Sequence, residues 1–255
     1  MDARRQAAPP ALPRPARGQA RLRGGSRAAG RVAREHGERP LEDRRGGRRE
    51  RGRVPARTAD ADGPAAGARE CRGCGLWREA TQTVFGAGPA GAELMPVGEQ
   101  PGDKEDLEGK PFVGPAGRIL HQALEEAGLD PAAAYITNAV KHFKWRPRGK
   151  RRLHQTPRAG KIEACEPWLE AEIEATSPRA LGALGATATR ALFGTKVKVT
   201  KDRGRLLEDP RAEIAAVTVH PSAILRAGDR QERELALAAM VEDLSLVGEV
   251  LGRRG

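Results

Sequence analysis

Apolar residues in this chain fall into short blocks that switch between two periods. Leu94 to Gly98 is a continuous apolar run ending in glycine, the form of a buried strand entering a loop. Pro115 to Gly128 carries apolar residues at Ile119, Leu120, Ala123, Leu124 and Ala127. That is one helical face, with Gly128 as a C-terminal stop. Ala134 to Val140 predicts a second strand, and Lys141 to Lys161 a long polar loop. Ile162 to Ala175 has helical spacing with Pro167 inside it, so the pattern predicts a kink or a later start. Ala180 to Leu184 is a weaker third strand, Ala186 to Phe193 a helix, Ile214 to Val219 a fourth strand and Gln231 to Val250 a C-terminal helix.

Strands that alternate with helices predict an α/β fold: a mostly parallel four-stranded sheet covered by helices on both faces. Residues that do chemistry then belong beyond the carboxyl ends of the strands. Glu99 and Gln100 follow the first strand, Asn138 lies near the end of the second, and His220 follows the fourth.

Charge divides the chain. Residues 1–57 hold 17 Arg, no Lys and 6 acidic residues, a net +11, whereas the remainder balances 28 basic against 28 acidic residues. The sequence pI near 10.3 therefore describes the arm and not the body. Residues 1–65 are rich in Arg, Ala, Pro and Gly and are expected to be disordered, because they cannot bury enough apolar area to offset ordering entropy. Composition alone favours a dispensable extension over an electrostatic tether for DNA. The domain proper is expected over 68–250. No run of about 18 apolar residues predicts a membrane span, and the start of the chain lacks the compact apolar core of a signal peptide.

Cys71, Cys74 and Cys165 are the three cysteines. An odd count argues against a disulfide framework and suits a reducing cytoplasm. The Cys71–Cys74 spacing lets two thiolates reach one metal, with Cys165 as a third donor. Soft thiolates suit zinc or an iron–sulfur cluster, and spacing alone leaves that choice and the fourth ligand open. Lys141 to Lys161 holds nine Lys or Arg and no acid, with Phe143 and Trp145 interleaved. A charge run is usually a solvated face, but this length without an acid favours contact with nucleic-acid phosphates.

Three motifs stand in order: GEQPGDKEDLEGKPFVGPAG from Gly98 to Gly117, Lys150-Arg151-Arg152-Leu153-His154, and His220-Pro221-Ser222. With the cysteine pattern, they resemble the uracil-DNA glycosylase superfamily, in particular its UdgX branch, related to family 4. The resemblance covers roughly Ala68 to Gly248. It implies a three-layer α/β/α sandwich of the uracil-DNA glycosylase fold, with uracil flipped from the stack and excised.

By the same resemblance, Phe112 stacks on uracil, Asn138 reads its edge, and the Gln100 backbone N–H meets a uracil carbonyl. His220 donates a hydrogen bond as negative charge leaves with the base. Glu99, and secondarily Asp103, face the sugar; Ser222 contacts phosphate or orients its loop; Ile224, Leu225 or Arg226 fills the gap in the stack. Lys150, Arg151 and Arg152 bind DNA. Cys71, Cys74, His142 and Cys165 hold a [4Fe–4S] cluster, His142 standing where family 4 enzymes carry a cysteine. In the UdgX branch the loop histidine, here His154, attacks the deoxyribose and traps the enzyme on its product. Leu153 stands where that loop usually has isoleucine, and the preceding loop is slightly short.

Three outcomes are expected to compete: a self-trapping glycosylase, a conventional family 4-like enzyme that turns over, and a cluster-bearing DNA-binding protein without catalysis. A monomer in the bacterial cytosol, associated with the nucleoid and acting on single-stranded uracil-containing DNA, is the accompanying expectation.

Overall fold

The computed structural model describes residues 71–252. The N-terminal extension, including the expectation of disorder over 1–65, lies outside the described residues.

Four parallel strands form where the apolar runs lie: β1 (Leu94–Gly98), β2 (Thr137–Asn138), β5 (Ala180–Leu184) and β7 (Ala212–Thr218). A fifth, β6 (Leu206–Asp209), pairs antiparallel with β7, so the sheet runs β2-β1-β5-β7-β6. This corrects the expected four strands. Two residues, Pro210 and Arg211, separate β6 from β7, and an edge strand of four residues, half of them acidic, carries little apolar signal. β3 (Trp145–Arg148) and β4 (Arg151–His154) form a separate antiparallel hairpin within the segment read as an irregular polar loop.

The central strands are apolar on both faces because helices cover both. On one side Leu94, Ala180, Leu184 and Ala216 pack with Leu120 and Leu124 of α2 (Pro115–Glu126) and with Met240, Leu244 and Val247 of α7 (Arg230–Gly252). On the other, Met95, Val97, Leu181 and Val217 meet Leu169 and Ile173 of α3 (Ala159–Thr176) and Ala188 and Leu192 of α4 (Gly185–Phe193). That is the expected three-layer sandwich. β5 is built from Ala-Leu-Gly-Ala-Leu with all five residues buried. Burial on two faces requires apolar side chains of fitting size, not β-branched ones. α3 starts three residues before the predicted point and runs through Pro167. Three short helices went unforeseen by periodicity: α1 (Asp103–Glu108), α5 (Val199–Asp202) and α6 (Pro221–Leu225).

One buried polar network braces the β2 edge. Lys141 and Glu172 form an ion pair with no exposed surface on either side chain. Lys141 Nζ also donates to the Asn138 carbonyl at 2.6 Å, and Glu172 accepts from Gly86 N at 2.7 Å and Thr137 Oγ1 at 2.9 Å. Burial, then the Glu172 carboxylate, pushes the Tyr135 phenol upward. Removing one partner would leave a buried charge alone, a loss of about 3–5 kcal/mol.

Candidate active site and cysteine cluster

A cavity of about 660 Å³ opens at the carboxyl ends of β1, β2, β5 and β7. Its lining includes Glu99, Phe112, Asn138, His154 and His220, residues that span more than 120 positions of sequence. Parallel strands bring them together because each chain exit points to the same edge of the sheet.

Phe112 and Asn138 meet over Gly98. A Cβ at Gly98 would fall 2.4 Å from Asn138 Oδ1 and 2.5 Å from the Phe112 ring, so only glycine permits this floor. Phe112 itself takes a positive φ of 53°, an unfavourable conformation for an aromatic residue. Buried Glu105 steadies the surrounding turn by accepting from Gly102 N at 3.1 Å and Gly114 N at 2.8 Å. Asn138 Oδ1 is buried without a hydrogen-bond partner, a polar atom that an incoming ligand can satisfy.

His220 caps α6. Its Nδ1 accepts the Ser222 backbone N–H at 3.1 Å and lies 2.8 Å from Ser222 Oγ. A backbone N–H can only donate, so Nδ1 carries no proton and Nε2 does. Burial is the main force holding the ring's pKa down, to about 4; the Glu99 charge opposes it and His154 and Arg226 add to it. At neutral pH His220 is therefore an uncharged N–H donor. The Phe112 and His220 rings stand 6.1 Å apart at 31°. Gly185, at φ +83°, lets α4 approach: a Cβ there would come 2.8 Å from that of His220.

Glu99 Oε2 accepts from Thr187 Oγ1 at 2.7 Å. Oε1 has no hydrogen bond of good geometry; His154 Nε2 stands 3.2 Å from it. Burial pushes the Glu99 carboxyl up, but His154 and Thr187 together outweigh it and hold the group below its ordinary value. His154 remains 47% exposed at the mouth of the cavity.

The β3–β4 hairpin carries His154, opposite Trp145. Arg152 shares its face of β4 two residues earlier, and its guanidinium is turned inward. It reaches Asp103 Oδ1 at 2.5 Å, Asp106 Oδ2 at 2.6 Å and Thr81 Oγ1 at 3.2 Å, and lies over the Phe143 and Trp145 rings. Without DNA, the Arg152 charge is thus paired within the protein. Asp103 is likewise engaged with Arg152 and is absent from the cavity lining, so it does not join Glu99. Lys150 and Arg151 stay exposed at the hairpin tip.

The Gln100 side chain donates to Lys144 O at 3.1 Å and Gln155 O at 3.3 Å and accepts from Lys144 N at 3.1 Å, gripping both stems of the hairpin. Ser222 Oγ is taken up by His220 and Arg226. Ile224 is buried, which removes it as a wedge, whereas Leu225 is 40% exposed and Arg226 lines the cavity. Thr187 was missed. Its only sequence signal is its place three residues after the end of β5, where the first turn of a helix faces the ligand edge.

The cysteine group lies apart from this cavity. Cys74, Cys165 and His142 are buried together. The hydrogen bond from Cys165, joined by the neighbouring His142, holds the Cys74 thiol well below the usual range despite burial, and the same contact raises Cys165. His142 Nε2 is 3.0 Å from Thr83 Oγ1, while its buried Nδ1 has no partner. Cys71 accepts from Trp168 Nε1 at 3.2 Å and shares a cavity of about 200 Å³ with His142. Among the described residues no three His, Cys, Asp or Glu side chains gather around a point suited to a single metal ion. Three thiols and an imidazole with an unsatisfied nitrogen fit a soft-metal group in their donor chemistry.

Comparison with known proteins agrees with this geometry. The family described as the uracil DNA glycosylase superfamily matches residues 85–245. A protein named type-4 uracil-DNA glycosylase from Thermotoga maritima is 35% identical over 188 residues, covering 73% of this chain and 92% of that protein. Proteins of the same name from Sulfurisphaera tokodaii and Archaeoglobus fulgidus are 38% and 33% identical, over 61% and 72% of this chain and 71% and 89% of their own lengths. The strands, the cavity at their carboxyl ends and these matches lead to one assignment: the chain belongs to the uracil DNA glycosylase superfamily.

Proposed function

We propose that the protein excises uracil from DNA and then bonds to the abasic sugar through His154. The observation that carries this reading is the 3.2 Å approach of His154 Nε2 to Glu99 Oε1 at the rim of a cavity whose far wall holds neutral His220.

Uracil flips into the cavity, its face on Phe112 and its edge on Asn138, whose unpartnered Oδ1 accepts a base N–H. As the N1–C1′ bond breaks, its electron pair leaves with uracil, and His220 Nε2–H donates to the carbonyl that gathers the charge. Glu99 stabilises the electron-poor sugar. His154 attacks as the neutral tautomer protonated at Nδ1. A proton resting on Nε2 first leaves through Glu99 Oε1 to solvent while Nδ1 gains one from solvent, so Glu99 is a carboxylate again before the glycosidic bond breaks. The Nε2 lone pair forms the bond to C1′, the resulting imidazolium loses its Nδ1 proton to solvent, and uracil takes a proton from solvent as it departs. Holding the ring at the reacting carbon gives it an advantage over bulk water.

A [4Fe–4S] cluster held by Cys71, Cys74, His142 and Cys165 fits the donor set. Bound there, it would supply cross-linking of the N-terminal segment to the body, and the reaction is assigned to none of its atoms.

The test is denaturing electrophoresis after incubation with uracil-containing single-stranded DNA. A heat-stable shifted band is expected, with one oligonucleotide per chain by mass spectrometry and the modification on His154. His154→Ser is expected to release free uracil without the band. Turnover without a band in the natural sequence would leave a conventional glycosylase; absence of uracil release would leave a DNA-binding protein.

A further inference from the structure

The hairpin supplies positive charge on one side of the cavity only. It follows β2, at one edge of the sheet, and is clamped by Gln100 after β1. The other side of the mouth is formed by the connection from α4 to α5, where Val199 lines the same cavity as His154. α5 packs on α4 and β7, on the far side of the sheet from β2. Flanking Val199 are Lys196, Lys198 and Lys201, all exposed.

The pairing of neighbouring charges makes these lysines distinctive. Arg203 is tied to buried Asp243 at 3.0 Å, and Arg205 to Asp202. Asp202 is the one acid between Gly194 and Arg205, and it is occupied by Arg205 and by the Lys198 backbone N–H at 2.8 Å. Lys196, Lys198 and Lys201 form no ion pair with any described acid. In a body with no net charge overall, these are three cations without an ion pair, set together beside Val199 at one lip of the cavity.

A nucleotide flipped into the cavity brings a phosphate on each side of its sugar to the rim. Lys150 and Arg151 can meet the strand on one side only. We infer that Lys196, Lys198 and Lys201 form a second phosphate-binding bank, which grips the DNA backbone on the side of the flipped nucleotide opposite the β3–β4 hairpin. This deepens the proposed function by naming the path of the strand, and it rests on that reading. The chemistry is ion pairing with phosphate and release of condensed counterions, without base readout.

The experiment compares the full-length protein with Lys196→Gln/Lys198→Gln/Lys201→Gln and with Lys150→Gln/Arg151→Gln. Fluorescence anisotropy follows binding to single-stranded oligonucleotides carrying uracil near one end or near the other, across a salt series. His154→Ser is present throughout, so that binding stays reversible. Three lost phosphate contacts should lower the slope of log K against log salt by about 2. Affinity at low salt should fall roughly tenfold or more. The lysine variant should lose most on the oligonucleotide extended in one direction, and the hairpin variant on the other. An unchanged slope, or an equal loss on both oligonucleotides, would overturn the second bank. Unchanged thermal melting checks that the variants fold. Uracil release by the same samples is read separately: if none occurs while the directional binding losses persist, the glycosylase reading fails and the bank stands.

Discussion

His154 and His220 face one cavity from different walls, and their surroundings assign them different work. His220 sits at the end of a central strand, largely shielded from solvent, its Nδ1 filled by Ser222 and its pKa driven down to about 4. It is a fixed, uncharged donor. His154 rides on a two-stranded hairpin outside the main sheet, half exposed, with a carboxylate beside its Nε2. A donor needs one orientation held against the core, whereas a nucleophile needs access to the reacting carbon. The hairpin meets the second need because Gln100 ties it to the body at its base and Arg152 does so nearer its tip, while the His154 side chain stays open.

The largest expected effect separates the two rings outright. His154→Ser should abolish the adduct while free uracil still forms. His220→Asn should instead lower uracil release roughly 10²–10³-fold, the scale of a lost oxyanion donor. A variant series showing equal losses of both products for both histidines would erase the distinction.

Folding adds a second difference. Burial depresses the His220 pKa from 6.5 to about 4, so folding favours its neutral form. The associated stability is complete above pH 6.5 and is lost as pH falls through 4, about 3 kcal/mol in all. Thermal melts of the natural protein and of His220→Asn should therefore converge over that window. Parallel curves would mean that the ring is not held neutral.

Loosening the hairpin sharpens the contrast further. Arg152→Gln removes the bonds to Asp103 and Asp106, and adduct formation should slow about tenfold or more through lost positioning. Uracil release should change much less, because the hairpin does not carry His220. Rapid-quench measurement of both products checks this.

The smallest effect lies at Thr187. Its hydroxyl helps hold Glu99 ionised, against burial and alongside His154, with His220 the other titratable ring facing the carboxylate. Glu99 then works at higher pH and fails as pH falls through its lowered pKa. In a His154→Ser background, Thr187→Val should let burial push Glu99 upward. The acid limb of uracil release should move to higher pH, and Thr187→Ser should restore it. An unmoved limb would reduce the hydroxyl to a packing contact.

Much of this arrangement is legible along the chain. Leu94–Gly98 and Ala180–Leu184 coincide with their strands, and Pro115–Glu126 carries the predicted helical stripe. The hairpin was hidden because its strands are four residues each, polar, and interrupted by Pro147. Period-two burial cannot announce a ribbon that buries so little. Motif order pointed to Glu99, Asn138, His154 and His220, all of which line the cavity. It could not tell that Arg152 and Asp103 would satisfy each other, since a guanidinium in a basic run reads the same whether it faces solvent or a carboxylate.

Local sequence thus determined the alternation of strands and helices, the motifs at the strand ends and the neutral balance of the body, because apolar periodicity and residue chemistry are written position by position. Tertiary structure alone decided which charges remain free, which histidine loses its proton affinity and which carboxylate meets the exposed imidazole. Those properties depend on burial and on partners from distant segments, and only the packed sheet brings such partners within hydrogen-bonding reach.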